Sequence, residues 1–102
     1  MSATKLRIYT IAQGRLADFV AAWTAGVVPL RRRFGFTIDA WTVPDEHTVV
    51  WKLTYEGEGT FEAAERAYYD SPDRLALDPD PGSFVVAKED RWLEPIDLGA
   101  GA

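Results

Sequence analysis

The spacing of apolar residues changes period along this chain in a set order, and that order restricts the fold more than any single motif does. Lys5 to Ile11 alternates, with β-branched and aromatic enrichment, and predicts a strand closed by Gln13-Gly14. From Arg15 the period lengthens: Leu16, Phe19, Val20, Trp23, Val27, Leu30 and Phe34 recur three and four apart, which is one face of a helix. Pro29 inside that run removes a backbone bond and crowds the preceding turn, so a kink is expected near Ala25 and Gly26, and Gly35 supplies the stop. Phe36 to Val43 and Thr48 to Tyr55 alternate again and are joined by Pro44-Asp45-Glu46-His47, the signature of a hairpin. Gly57 and Gly59 close the third strand, and Thr60 caps a second helix, Phe61 to Tyr69, which Asp70-Ser71-Pro72 breaks. A further helical turn at Asp73 to Leu77, a rigid loop at Asp78-Pro79-Asp80-Pro81-Gly82 and a last strand at Ser83 to Leu93 complete the pattern.

Strand, helix, strand, strand, helix, strand is the split βαβ order, so the expected class is α+β: a ferredoxin-like βαββαβ sandwich with a four-stranded antiparallel sheet and both helices on one face. No repeat or long linker divides the chain. Residues 3–95 are read as one domain and residues 96–102 as a frayed tail. With 102 residues, 47% hydrophobic and 26% charged, the chain has the make-up of a globular domain. A domain of this size buries only about two-thirds of its unfolded surface, so a homodimer is expected to add burial.

Alternation splits each strand into two sets. The more apolar set, Leu6 and Ile8, Phe36, Ile38 and Ala40, and Val49, Trp51, Leu53 and Tyr55, is assigned to the helix side. The set expected on the open side is Arg7, Tyr9 and Ile11, then Thr37, Asp39, Trp41 and Val43, then Val50, Lys52 and Thr54. Such a face is too apolar to stay in water. Arg7, Tyr9, Asp39, Trp41 and Lys52 fall on it together and are the candidate ligand-binding residues, in a cleft suited to a small hydrophobic molecule. The bland reading gives the charged members a cross-strand structural role.

Charge and composition exclude several classes. A net charge of −5 works against nucleic acid, and the run Arg31-Arg32-Arg33 reads as solvated cations at a helix C-terminus. The absence of cysteine removes disulfides, thiolate metal sites and thiol nucleophiles. No apolar stretch reaches the ~20 residues of a membrane span, and residues 1–6 lack a signal-peptide core, so a cytoplasmic protein is expected. The single histidine, His47, sits at a turn tip, where a solvated role outweighs catalysis, and one histidine cannot build a three-histidine metal site. Asp78 and Asp80 lie among prolines without a liganding pattern, Gly57-Glu58-Gly59 lacks the remainder of a phosphate loop, and Ser71 and Ser83 have no histidine nearby. No metal and no cofactor is expected, and no catalytic residue is assigned.

Leu6-Arg7-Ile8-Tyr9-Thr10-Ile11 with Gly14, Leu16 and Phe19, then Trp23, Pro29-Leu30, Gly35-Phe36 and the Val50-Trp51 to Tyr55 strand, resembles a NIPSNAP-type domain over about Lys5 to Glu94. The proline-rich segment Asp78 to Gly82 is where the likeness departs. The resemblance implies the dimeric α+β barrel superfamily, in which two ferredoxin-like subunits pack sheet to sheet and leave a pocket in each. It also implies the range of that superfamily: cofactor-free monooxygenases, isomerases and cyclases acting on aromatic or polyketide substrates, and haem enzymes. Three functions are therefore carried forward: binding of a small hydrophobic or aromatic ligand, a cofactor-independent enzyme using Tyr9 or Asp39 for proton transfer, and a ligand-free scaffold.

Overall fold

The computed structural model describes residues 3–99; the last residues of the expected tail, 100–102, lie outside the described ones. Strand β1 is Ala3–Ile11, and the first helical run divides into α1 (Leu16–Ala22), a π-helical turn (Trp23–Val27) and α2 (Val28–Arg33). The hairpin strands are β2 (Phe36–Thr42) and β3 (Thr48–Tyr55). They are followed by α3 (Phe61–Asp70), α4 (Pro72–Leu75), a 3-10 turn (Pro81–Phe84) and β4 (Val85–Leu93). The four strands form an antiparallel sheet in the order β2-β3-β1-β4, the ferredoxin-like arrangement expected of the sequence.

Each junction has a local cause. Pro29 offers no N–H to the Ala25 carbonyl, and the helix accommodates it one turn earlier by widening, with the Val28 N–H reaching back five residues to the Trp23 carbonyl. The expected kink is thus a π-helical turn. Gly35 ends α2 with φ at +92°, a left-handed conformation that glycine adopts without strain. In the hairpin turn the Asp45 carboxylate accepts from the backbone N–H groups of His47 and Thr48. Thr60 caps α3 by accepting from the Ala63 N–H. The last strand starts at Val85, two residues later than expected, because Pro81–Phe84 folds into a turn that buries Pro81 and Phe84.

The helices cover one face of the sheet. Phe19, Trp23, Val27 and Leu30 from the first helical run and Phe61 and Tyr68 from α3 pack on Tyr9, Ile11, Phe36, Val49, Trp51 and Leu53. For β2 and β3 this is the face assigned from the sequence; for β1 it is the opposite one. Register places Arg7 opposite Trp51 and Asp90, and Tyr9 opposite Val49 and Lys88, so Arg7, Tyr9 and Ile11 point under the helices. Leu6 and Ile8, expected in the core, lie on the open face beside Lys52 and Val50. The two sets of β1 are nearly matched in apolar content, and the charge of Arg7 tips the comparison outward. What reverses it is an anionic partner from α3.

Candidate functional site

Arg7, in the middle of β1, and Arg31, in the last turn of α2, are 5% and 1% exposed. Arg31 corrects the reading of the arginine run as solvated: Arg32 and Arg33 face water, but Arg31 does not. It sits four residues after Val27 and three before Phe34, the spacing of the buried helix face. Glu65 stands in the same relation to Phe61 and Tyr68 on α3.

A guanidinium is costly to desolvate alone, and these two share one carboxylate. Glu65 Oε1 pairs with Arg7 Nη2 and lies 3.3 Å from Arg31 Nη2, while Oε2 is 3.4 Å from Lys5 Nζ. Asp90 on β4 adds a looser contact, 3.7 Å from Arg7 Nε, at the more exposed rim. The Tyr9 hydroxyl accepts from Arg7 Nη1 at 3.2 Å, and the Tyr69 hydroxyl accepts from Arg7 Nη1 and Arg31 Nη2 at 3.1 Å each. Ring faces complete the enclosure: the Arg31 guanidinium lies 3.9 Å from the centre of Tyr68, and that of Arg7 lies 5.3 Å from Trp51.

This arrangement biases protonation. Burial works to raise the Glu65 carboxyl, but Arg7, Arg31 and Lys5 together outweigh it and hold it below its ordinary value. Burial pushes the Tyr9 and Tyr68 phenols up; Arg7 opposes it at Tyr9, as Arg31 and Arg74 do at Tyr68, and both keep their protons beyond the usual range. Burial also disfavours the charge on Arg7, yet the surrounding oxygens keep it firmly protonated.

The cluster is rich in donors. Among the described residues, the buried side-chain polar atoms without a protein partner are Arg7 Nε, Trp23 Nε1, Arg31 Nε and Nη1, Trp51 Nε1 and Arg74 Nε. Each is an N–H donor and none is an acceptor. A buried donor left unserved costs about 1–3 kcal/mol. Trp23, Arg31, Trp51 and Arg74 all line a small inner cavity of about 40 Å³, together with Tyr9, Tyr68 and Tyr69. An outer cavity of about 260 Å³, bounded by Tyr9, Tyr69, Arg74, Gly82, Val85, Val86, Ala87 and Lys88, shares Tyr9, Tyr69, Arg74 and Gly82 with the inner one and opens beside β4.

A larger, shallower hollow of about 670 Å³ lies between the hairpin turn and the loop after β1, and includes Gly14, Asp45 and His47. His47 there is exposed, its Nδ1 3.6 Å from Asp45, and the polar groups of the turn are already bonded to one another. The enclosed, donor-lined cleft under the helices is the stronger candidate.

The five residues proposed from sequence do not converge. Tyr9 lines the cleft under the helices, and Arg7 stands beside it, bonded to the Tyr9 and Tyr69 hydroxyls without lining either cavity. Asp39 and Lys52 lie opposite each other on the open face, with Trp41 one ladder step away and its ring 5.9 Å from Lys52 Nζ. Arg31, Glu65, Tyr69 and Arg74 were missed, although the inward helical spacing of Arg31 and Glu65 was visible in the sequence. Among the described residues, no group of three or more His, Asp or Glu side chains is placed to hold a metal. Among the described residues, no helix is long and apolar enough to cross a membrane.

No family model and no curated protein matches the chain. Solved structures do. A NIPSNAP family protein from Agrobacterium tumefaciens is similar over all of both chains, with a TM-score of 0.82 at 13% identity. A NIPSNAP domain protein from Burkholderia xenovorans is similar over 97% of this chain and 98% of its own, with a TM-score of 0.76 at 16% identity. A cofactor-independent oxygenase from Streptomyces nogalater is similar over 99% of this chain and 98% of its own, with a TM-score of 0.69 at 13% identity. The chain has the ferredoxin-like fold of these proteins, as the sequence resemblance implied.

Proposed function

We propose that this chain is a NIPSNAP-like protein that binds a small aromatic molecule in the cleft between its sheet and its helices, and that it works as a homodimer joined through the open sheet face. The observation that carries the reading is the pair of adjoining cavities: a space of about 260 Å³ walled by Tyr9, Tyr69, Val85 and Val86 shares Tyr9, Tyr69, Arg74 and Gly82 with a smaller one lined by Trp23, Trp51 and Arg31. Concave, mainly apolar sites with a few convergent polar groups are what small ligands occupy. This one is smaller than the ~300–1,000 Å³ of drug-sized sites, which limits the ligand to one or two rings. Since two of the four tryptophans line the inner end, ligand entry should quench intrinsic fluorescence. Titration with 2-naphthol, 2-naphthoate and 2-naphthamide tests this: saturable quenching by at least one, weakened in Tyr69→Ala, is the expected result. No saturable response to any of them would sink the reading. The cytoplasmic setting belongs to the same proposal and is checked by cell fractionation.

A second reading is a cofactor-independent monooxygenase, isomerase or cyclase acting on an aromatic substrate. The similarity to the oxygenase from Streptomyces nogalater favours it, as does a buried, protonated Tyr9 phenol held by Arg7 on the wall shared by the two cavities. Oxygen consumption across phenolic and quinone substrates is its test, with Tyr9→Phe expected to abolish turnover while preserving binding.

A further inference from the structure

Resting on that reading of the cleft, we infer that its ligand is an anion: an aromatic ring carrying a negatively charged oxygen group, of which an aromatic carboxylate is the simplest case. The chain as a whole is acidic, with 16 Asp and Glu against 11 Lys and Arg, yet neither the inner nor the outer cavity has a carboxylate among its walls. Their charged walls are Arg31, Arg74 and Lys88. The nearest buried acid, Glu65, is already shared by Arg7, Arg31 and Lys5, and Asp80, 3.1 Å from Arg74, is half exposed outside the cavities.

Hydrogen bonding points the same way. Nε and Nη1 of Arg31 and the indole N–H groups of Trp23 and Trp51 are buried without partners. All three residues line the inner cavity, where the tyrosine hydroxyls of Tyr9 and Tyr69 are already engaged as acceptors. A site made of spare donors and surplus positive charge is complementary to an acceptor with negative charge, because charge-assisted bonds are the strong ones. Size divides the ligand between the two spaces. About 40 Å³ exceeds the ~30 Å³ share of one water molecule and suits an oxygen group but not a ring, which belongs in the outer cavity against Tyr9, Tyr69, Val85 and Val86.

Isothermal titration of the full chain with 2-naphthoate and with its neutral isostere 2-naphthamide separates charge from shape. The carboxylate should bind at least ~10-fold more tightly. Arg74→Met should collapse that ratio by weakening 2-naphthoate alone. Asp80→Asn, which loosens the contact between Arg74 and its loop without removing a cavity cation, should not lower it. Arg31→Met should collapse it further; should that variant fail to fold, Arg74→Met decides. Equal or tighter binding of the amide, or an unchanged ratio in Arg74→Met, overturns the anion assignment and leaves the cleft standing. Failure of both compounds to bind removes the cleft itself.

Discussion

Glu65 is the side chain on which the buried cluster turns. It is 13% exposed and answers two guanidinium groups and an ammonium, so its removal leaves like charges facing each other under the helices. Replacing it with glutamine should lower stability by about 2 kcal/mol, less than the ~3–5 kcal/mol for breaking a fully enclosed pair, because part of the carboxylate still reaches water. The sign of the pH dependence follows from its depressed carboxyl: the unfolded chain takes up this proton before the folded one does. The contribution of Glu65 is complete above its ordinary value of 4.5 and drains away as pH falls through the lower folded value. Thermal melts should show Glu65→Gln well below the parent at neutral pH and the gap closing in acid. A constant gap across that range would mean that the carboxylate is not coupled to its cations. The sequence held the elements of this cluster but not their assembly. Arg7 and Tyr9 were legible as unusual residues on β1, yet the sign of their face depends on a partner 58 positions away, and no local pattern reports that distance. Arg31 was hidden by its neighbours: within a run of three arginines the charge signal dominates, and only the three-and-four spacing from Val27 to Phe34 marks one of them as inward.

The elements themselves were easier to read, because their limits are set by neighbours in sequence. Gly35, Thr60 and the Asp45 turn act over three or four residues, and each does what its residue type predicts. Pro29 marks the right place for a disturbance, and the form it takes is a π-helical turn. The missing N–H is absorbed by widening one turn, and Trp23 and Val27 stay buried beneath it. Helix α3 carries Tyr68 and Tyr69 to the cleft, and Glu65 to the cations beside it, from a start fixed by one side-chain bond, Ala63 N–H to Thr60 Oγ1 at 3.1 Å. Thr60→Ala should cost about 1 kcal/mol in urea unfolding and, by fraying the start of α3, should weaken aromatic binding without replacing any residue of the cleft. Thr60→Asp, which can cap as well, should restore both. A loss that Asp does not rescue would place the effect elsewhere than in the cap.

At the scale of the molecule, the proposed function gives the two sheet faces separate tasks, and the reversed face of β1 sharpens the division. With Arg7 and Tyr9 turned under the helices, Leu6 and Ile8 join Val50, Trp41 and Leu93 on the uncovered side. That side loses the charge of Arg7 that the sequence reading gave it, and Trp41 is 53% exposed there. Apolar surface of this kind on a small domain is what the proposed homodimer would cover, with a second copy of the chain as the partner. Val50 stands in a central strand between Ile8 and Trp41, so Val50→Lys sets a charge in the middle of the patch while leaving the helix-side core intact. Sedimentation should give twice the 11.4 kDa chain mass for the parent and a folded monomer for the variant. Because the cleft lies within one subunit on the other side of the sheet, that monomer should still quench with 2-naphthoate. A parent that sediments as a monomer would remove the dimer and leave the cleft; a monomeric variant that folds but no longer binds would show instead that the partner subunit helps to close it.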